Sequence, residues 1–77
     1  MSVIVRYFAG LRDQMGRQED QLDAGSCATV AEVWKAVSGK EQLPDNLLSA
    51  VNLEYVASDH PVKDGDEVAF FPPVTGG

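Results

Sequence analysis

Hydrophobic positions recur every second residue near both ends of this chain and every third or fourth residue in its middle. In residues 3–8, Val3, Val5 and Tyr7 fall on one side of an extended backbone and Ile4, Arg6 and Phe8 on the other. The β-branched and aromatic content of this run predicts a strand. Arg6 marks the second side as the wetter one, so Phe8 is a large ring on a face where the core does not need it. Residues 67–71 repeat the pattern: Val68 and Phe70 alternate with Glu67, Ala69 and Phe71, which places Phe71 with Glu67 on the wetter side of a last strand. Between these runs, Val30, Val33, Trp34 and Val37 stand at i, i+3, i+4 and i+7, one apolar stripe of a helix. Thr29 followed three residues later by Glu32 is a capping box, in which each side chain can satisfy the other residue's backbone N–H. Gly39, just after Ser38, is a favoured terminator. The spacing predicts a helix over 30–38 with Trp34 as its largest buried side chain.

The other segments are shorter. Residues 9–16 are bounded by helix breakers and carry Leu11 and Met15, enough to pack one helical turn. Residues 17–23 are mostly polar, with Leu22 the clear core residue, and predict an edge strand antiparallel to the first; Gly25-Ser26 then punctuates. Residues 40–49 form a connection around Pro44, with Asp45-Asn46 capping a turn through Leu47 and Leu48. Residues 50–52 and 55–57 predict two short strands about a tight Leu53-Glu54 turn, and residues 58–66, with His60-Pro61 and Asp64-Gly65-Asp66, are turn-forming by composition. A hairpin, a crossing helix and a final strand predict an α+β domain, one main helix resting on one face of a small mixed sheet. The helical stripe would meet Val3, Val5, Val68 and Phe70. Phe8 and Phe71 remain on the open face, where exposed rings mark interaction surfaces.

Composition then narrows the function. Seventy-seven residues make one domain, and at that size about 60% of the unfolded chain's surface is buried. An apolar content of 44% argues against disorder. There is no run of about 20 apolar residues to cross a membrane, and the first six residues lack the pattern of a signal peptide. The lone Cys27 cannot form an intramolecular disulfide, and with the lone His60 it cannot complete a four-ligand zinc site. The expectation is a cytoplasmic protein held together by its core, with no metal or cofactor of its own. Twelve acidic against six basic residues give a net charge of −6, which argues against nucleic acid and anionic membrane surfaces as partners and favours a basic docking surface. The plainer reading of the charge is solubility.

Self-sufficient chemistry is hard to find. Cys27 near a helix start could be a reactive thiol, but no basic or histidine neighbour accompanies it in sequence, and a small structural residue is the better reading. His60 precedes a proline in a turn and shows no orienting partner. Gly39-Lys40 lacks the flanking residues of a phosphate loop, and Asp64, Asp66 and Glu67 are wrongly spaced for a calcium loop; a solvated turn accounts for them. What remains is the run Phe71, Pro72, Pro73, Val74, Thr75, Gly76 and Gly77. Residues 72–77 extend at most about 20 Å, far enough to enter a neighbouring pocket. Two prolines keep the first part extended and limit the ordering cost of binding. Glycines at the tip let the backbone enter a narrow slot. The terminal carboxylate is a poor acyl donor until adenylation gives it a better leaving group. The chain therefore divides into a domain over 1–71 and an extended, flexible tail over 72–77 that lends a carboxyl group to a partner.

The run from Asp59 to Gly77, ending Phe-Phe-Pro-Pro-Val-Thr-Gly-Gly, together with Val5-Arg6-Tyr7-Phe8-Ala9-Gly10-Leu11-Arg12 near the start, resembles the small subunit of molybdopterin synthase, the MoaD family. The length and element order agree along essentially the whole chain, while residues 18–48 would not identify the family unaided. The resemblance implies a ubiquitin-like β-grasp fold. It implies that Gly77 is adenylated by an E1-like, MoeB-like activating enzyme using ATP and converted to a thiocarboxylate with sulfur from a donor such as a cysteine desulfurase. It further implies that the tail enters a MoaE-like large subunit, which supplies the catalytic basic residues, and that the sulfur passes to cyclic pyranopterin monophosphate to build the molybdopterin dithiolene. Two small and two large subunits would assemble. Carried onto this chain, Gly77 bears the sulfur, Gly76 gives slim access, and Pro72, Pro73, Val74 and Thr75 line the tail's contact with the partner. Phe8 and Phe71 are the inferred docking patch. The alternatives are a sulfur carrier for thiamine thiazole synthesis, a ubiquitin-like modifier joined to lysines through Gly77, and a plain binding module.

Overall fold

The first and last strands of the chain lie side by side at the centre of one sheet. The computed structural model describes residues 2–39 and 47–72. Its elements run β1 (Ser2–Tyr7), α1 (Gly10–Met15), β2 (Glu19–Asp23), a 3-10 turn (Ala24–Ser26), α2 (Val30–Ser38), β3 (Leu48–Val51), β4 (Glu54–Val56) and β5 (Glu67–Phe71). The sheet order is β2-β1-β5-β3-β4; β1 and β5 are parallel and the other neighbours antiparallel. A parallel pair needs a crossover connection, and α2 lies within the one that joins the two halves of the sheet.

Alternation sorts the strands as the residue pattern predicts. Val3, Val5 and Tyr7 of β1 and Val68 and Phe70 of β5 are buried and form one core with Val30, Val33 and Trp34 of α2 and Leu11 of α1. Phe70 meets the Trp34 indole edge-on, with centroids 5.1 Å apart at 64°, one of the geometries aromatic pairs prefer. Among the described residues the indole N–H, on the core's largest ring, finds no hydrogen-bond partner.

The ends of α2 follow their caps. Thr29 Oγ1 accepts from the Glu32 N–H at 3.3 Å, and Gly39 closes the helix at φ 76° with its N–H donating to the Lys35 carbonyl. Glu32 reaches back one residue further than a capping box requires and accepts the Ala28 N–H. Edge strand β2 is pinned from the core side: the Tyr7 hydroxyl donates to Asp20 Oδ2 at 2.8 Å. Burial first, then that bond and the carboxylate's charge, push the phenol above its ordinary range. Arg17 donates to the same oxygen, lies over the Tyr7 ring, and donates to the Val37 carbonyl at 3.0 Å, which ties the start of β2 to the last turn of α2.

Three local expectations change. The β3–β4 turn is Asn52-Leu53 rather than Leu53-Glu54, with both residues at positive φ (52° and 72°); such two-residue turns match the twist of the flanking strands. Leu48, expected in a turn, opens β3 opposite Phe71 because that pairing completes the ladder with the last strand. Asp66, expected in a solvated turn, is buried. Its carboxylate accepts the Lys63 N–H at 2.9 Å and the Asn52 amide at 3.0 Å, while the Asn52 carbonyl accepts the Glu67 N–H. Burial pushes the Asp66 carboxyl up, but these bonds and the Lys63 and His60 charges outweigh it, leaving the group below the usual carboxylate range. The expected cap at Asp45-Asn46 and the connection around Pro44 lie outside the described residues.

Candidate functional site

The face of the sheet away from α2 carries the residues that alternate out of the core. Across it run Gln21 from β2, Ile4 and Arg6 from β1, Glu67, Ala69 and Phe71 from β5, Ala50 and Leu48 from β3, and Tyr55 from β4, as the strand registers require. Arg6 and Glu67 pair at 3.2 Å, both partly exposed. In water such a pair contributes little to stability, and its place beside the rings makes it a polar rim.

At the end where β5 leaves the sheet, Phe8 and Phe71 stack with ring centroids 4.8 Å apart and planes 10° from parallel. Phe8 is 39% exposed, although its ring is one of only three phenylalanines in the chain. The Phe8 N–H donates to the Phe70 carbonyl, which fastens the chain beyond β1 to the last strand and brings the two rings together. Residue alternation predicted that Phe8 and Phe71 share the open face; their direct contact follows from the parallel β1–β5 pairing. Tyr55, 72% exposed, leans on Phe71 at 5.9 Å and 54°, and Leu48 is exposed next to it. Tyr55 and Leu48 were missed as members of this patch. The alternation of Tyr55 against Val56 carried a signal for the first, but the order of the strands was needed to bring it to Phe71.

Pro72 is half-buried and continues directly from Phe71. Pro73, Val74, Thr75, Gly76 and Gly77 lie outside the described residues. The weaker candidates find structural roles. Cys27 is buried in the core, where a thiol behaves as a small apolar group. His60 caps α2 from outside, its carbonyl accepting the Val30 N–H at 3.1 Å. The residue also lines a groove of about 560 Å³ with Asn52, Glu54, Lys63 and Asp66, at the opposite end of β5 from the aromatic patch. Among the described residues no three His, Cys, Asp or Glu side chains are grouped to hold a metal ion, and no helix is long and apolar enough to cross a membrane.

A five-stranded mixed sheet with parallel central strands and one principal helix on one face defines a ubiquitin-like β-grasp domain. Residues 5–77 match the ThiS family, and the chain belongs to that family. It is 42% identical to the molybdopterin synthase sulfur carrier subunit of Escherichia coli, over 95% of this chain and 96% of that one. Among solved structures it resembles SAMP1 from Haloferax volcanii, with a TM-score of 0.84, 29% identity and full coverage of both chains. It also resembles a chain in the complex of subunits 1 and 2 of the molybdopterin-converting factor from Helicobacter pylori, with a TM-score of 0.67, 26% identity and full coverage of both.

Proposed function

We propose that this chain is the sulfur-carrier subunit of a molybdopterin synthase, and that Gly77 carries the sulfur. The observation that bears most weight is the family match running through residue 77, joined to 42% identity along nearly the whole length of a carrier subunit. The chemistry is economical. Adenylation of the Gly77 carboxylate, by an E1-like enzyme spending ATP and releasing pyrophosphate, turns a poor acyl donor into one with AMP as leaving group; a donor persulfide then displaces AMP to give an acyl disulfide, and a second thiol reduces its S–S bond to leave a thiocarboxylate. This chain binds no cofactor in the process and supplies no acid or base. A large subunit binds the aromatic patch, takes in residues 72–77, and presents cyclic pyranopterin monophosphate to the sulfur. The subunit 1 and 2 complex from Helicobacter pylori supports such a partner. Gly76 is needed as a slim residue beside the reacting carbon, and the site of action is the cytoplasm, where ATP and a cysteine desulfurase are available.

The test is intact mass after incubation with an activating enzyme, ATP and a sulfur donor: one oxygen of Gly77 should be replaced by sulfur. An unchanged carboxylate in the presence of a competent activator ends the proposal.

A second reading has one observation in its favour. The resemblance to SAMP1, a small archaeal modifier protein, extends over the full chain, and an adenylated Gly77 could equally be taken by a lysine amine. Isopeptide-linked conjugates in cells that contain both the activator and the large subunit would move the assignment toward a modifier.

A further inference from the structure

Two alanines in the middle of the open face are buried, although among the described residues no helix covers that face. Ala50 and Ala69 are paired across β3 and β5 and are only 4% and 7% exposed. The register sets Tyr55 opposite Ala50 and Phe71 opposite Leu48, so a ring from the edge strand β4 has to cross β3 at Ala50 to reach β5. It does so, and meets Phe71 at 5.9 Å. A larger residue at position 50 would occupy that path. On the other flank, β1 brings Phe8 against Phe71 at 4.8 Å. The Phe71 ring is therefore held from both sides by strands that lie on opposite sides of its own.

Phe71 is the last residue of β5, and Pro72 follows it with φ restricted to near −65°. Holding the Phe71 side chain restrains its Cα, and the proline ring removes one further rotation at the next residue. From this geometry we infer that Tyr55 is a positioning residue for the root of the tail: with Phe8 it clamps the Phe71 ring and so restrains the backbone at the Phe71–Pro72 junction. The inference rests on the carrier reading for its consequence, since a reacting carbon six residues away gains rate from a constrained root. An exposed tyrosine that served docking alone would alter the affinity for the large subunit and leave the turnover of the bound complex unchanged.

The experiment compares Tyr55→Ala, Tyr55→Phe and Ala50→Val in the full chain. In the free protein, 15N relaxation of the Phe71 amide and the ring-current shifts of the Phe8 protons report the clamp. Tyr55→Ala should lower the Phe71 order parameter and move the Phe8 shifts, Ala50→Val should do the same by displacing the Tyr55 ring, and Tyr55→Phe should match the parent. With the thiocarboxylate form and saturating large subunit, Tyr55→Ala should slow sulfur transfer roughly three- to tenfold, with Tyr55→Phe restoring the rate. An unchanged Phe71 order parameter in both disrupting variants, or a loss confined to KM, overturns the inference. Absence of a thiocarboxylate on the parent protein removes the carrier reading instead, and the relaxation data still decide whether Tyr55 holds Phe71.

Discussion

Phe70 and Phe71 are neighbours in one strand, yet they serve two different surfaces. Phe70 is fully buried, edge-on to Trp34 beneath α2. Phe71 points the other way, stacks on Phe8 and remains half in water. The burial of the first stabilises the domain. The partial exposure of the second leaves apolar area that the folded chain does not cover by itself, which is what a docking surface needs. Under the proposed function, one sheet separates folding from recognition by a single peptide unit.

The contrast can be tested by substitution. Phe70→Ala should cost about 3–5 kcal/mol, a large share of the total for a domain of this size, and its urea midpoint should collapse. Phe71→Ala should shift the midpoint far less and weaken large-subunit binding at least roughly tenfold, as loss of a central aromatic anchor does; titration calorimetry against that subunit would check it. Equal destabilisation by the two would erase the distinction between the faces. Thr29→Ala, which removes the cap of the helix on the covered face, should cost about 1 kcal/mol and leave binding unchanged.

Asp66 makes the distinction depend on pH. Its carboxyl is held below the usual range in the folded protein and returns to that range on unfolding. Its contribution is therefore complete above the ordinary carboxylate pKa and disappears as pH falls through the lower, folded value. Thermal melts should show stability falling on acidification below the ordinary range, with a shallower fall in Asp66→Asn. The smallest effect concerns Leu53, 91% exposed and at φ 72°. Leu53→Gly relieves the left-handed strain but loosens the unfolded chain, for a net gain of about 0.5 kcal/mol, visible as a slightly higher melting temperature.

Local signals were read well where the physics is local. The ends of α2 coincide with Thr29 and Gly39, because caps act within one turn. The antiparallel edge strand β2 follows from a polar segment with one core residue, Leu22, and the shared face of Phe8 and Phe71 from alternation. The turn at Asn52-Leu53 was misplaced because a leucine at positive φ breaks the residue preference by which such turns are recognised. Burial of Asp66 depends on Asn52, fourteen residues away along the chain, and the reach of Tyr55 depends on which strand lies between it and Phe71. Both need the order of the strands, which residue periodicity does not carry. The reading of residues 72–77 rests on composition and resemblance, and residues 73–77 lie outside the described residues.

The parallel pairing of β1 and β5 has a mechanical consequence. β5 runs toward Pro72 and β1 runs alongside it in the same direction, so a pull on Pro72 along the strand axis acts along the length of the ladder. Its hydrogen bonds are then loaded together, in shear, instead of opening one after another like a zipper. Under the proposed function, a partner drawing on Pro72 along that axis would meet the ladder's resistance to shear. On the same reading, repeated pulls of that kind would leave β5 in place between β1 and β3.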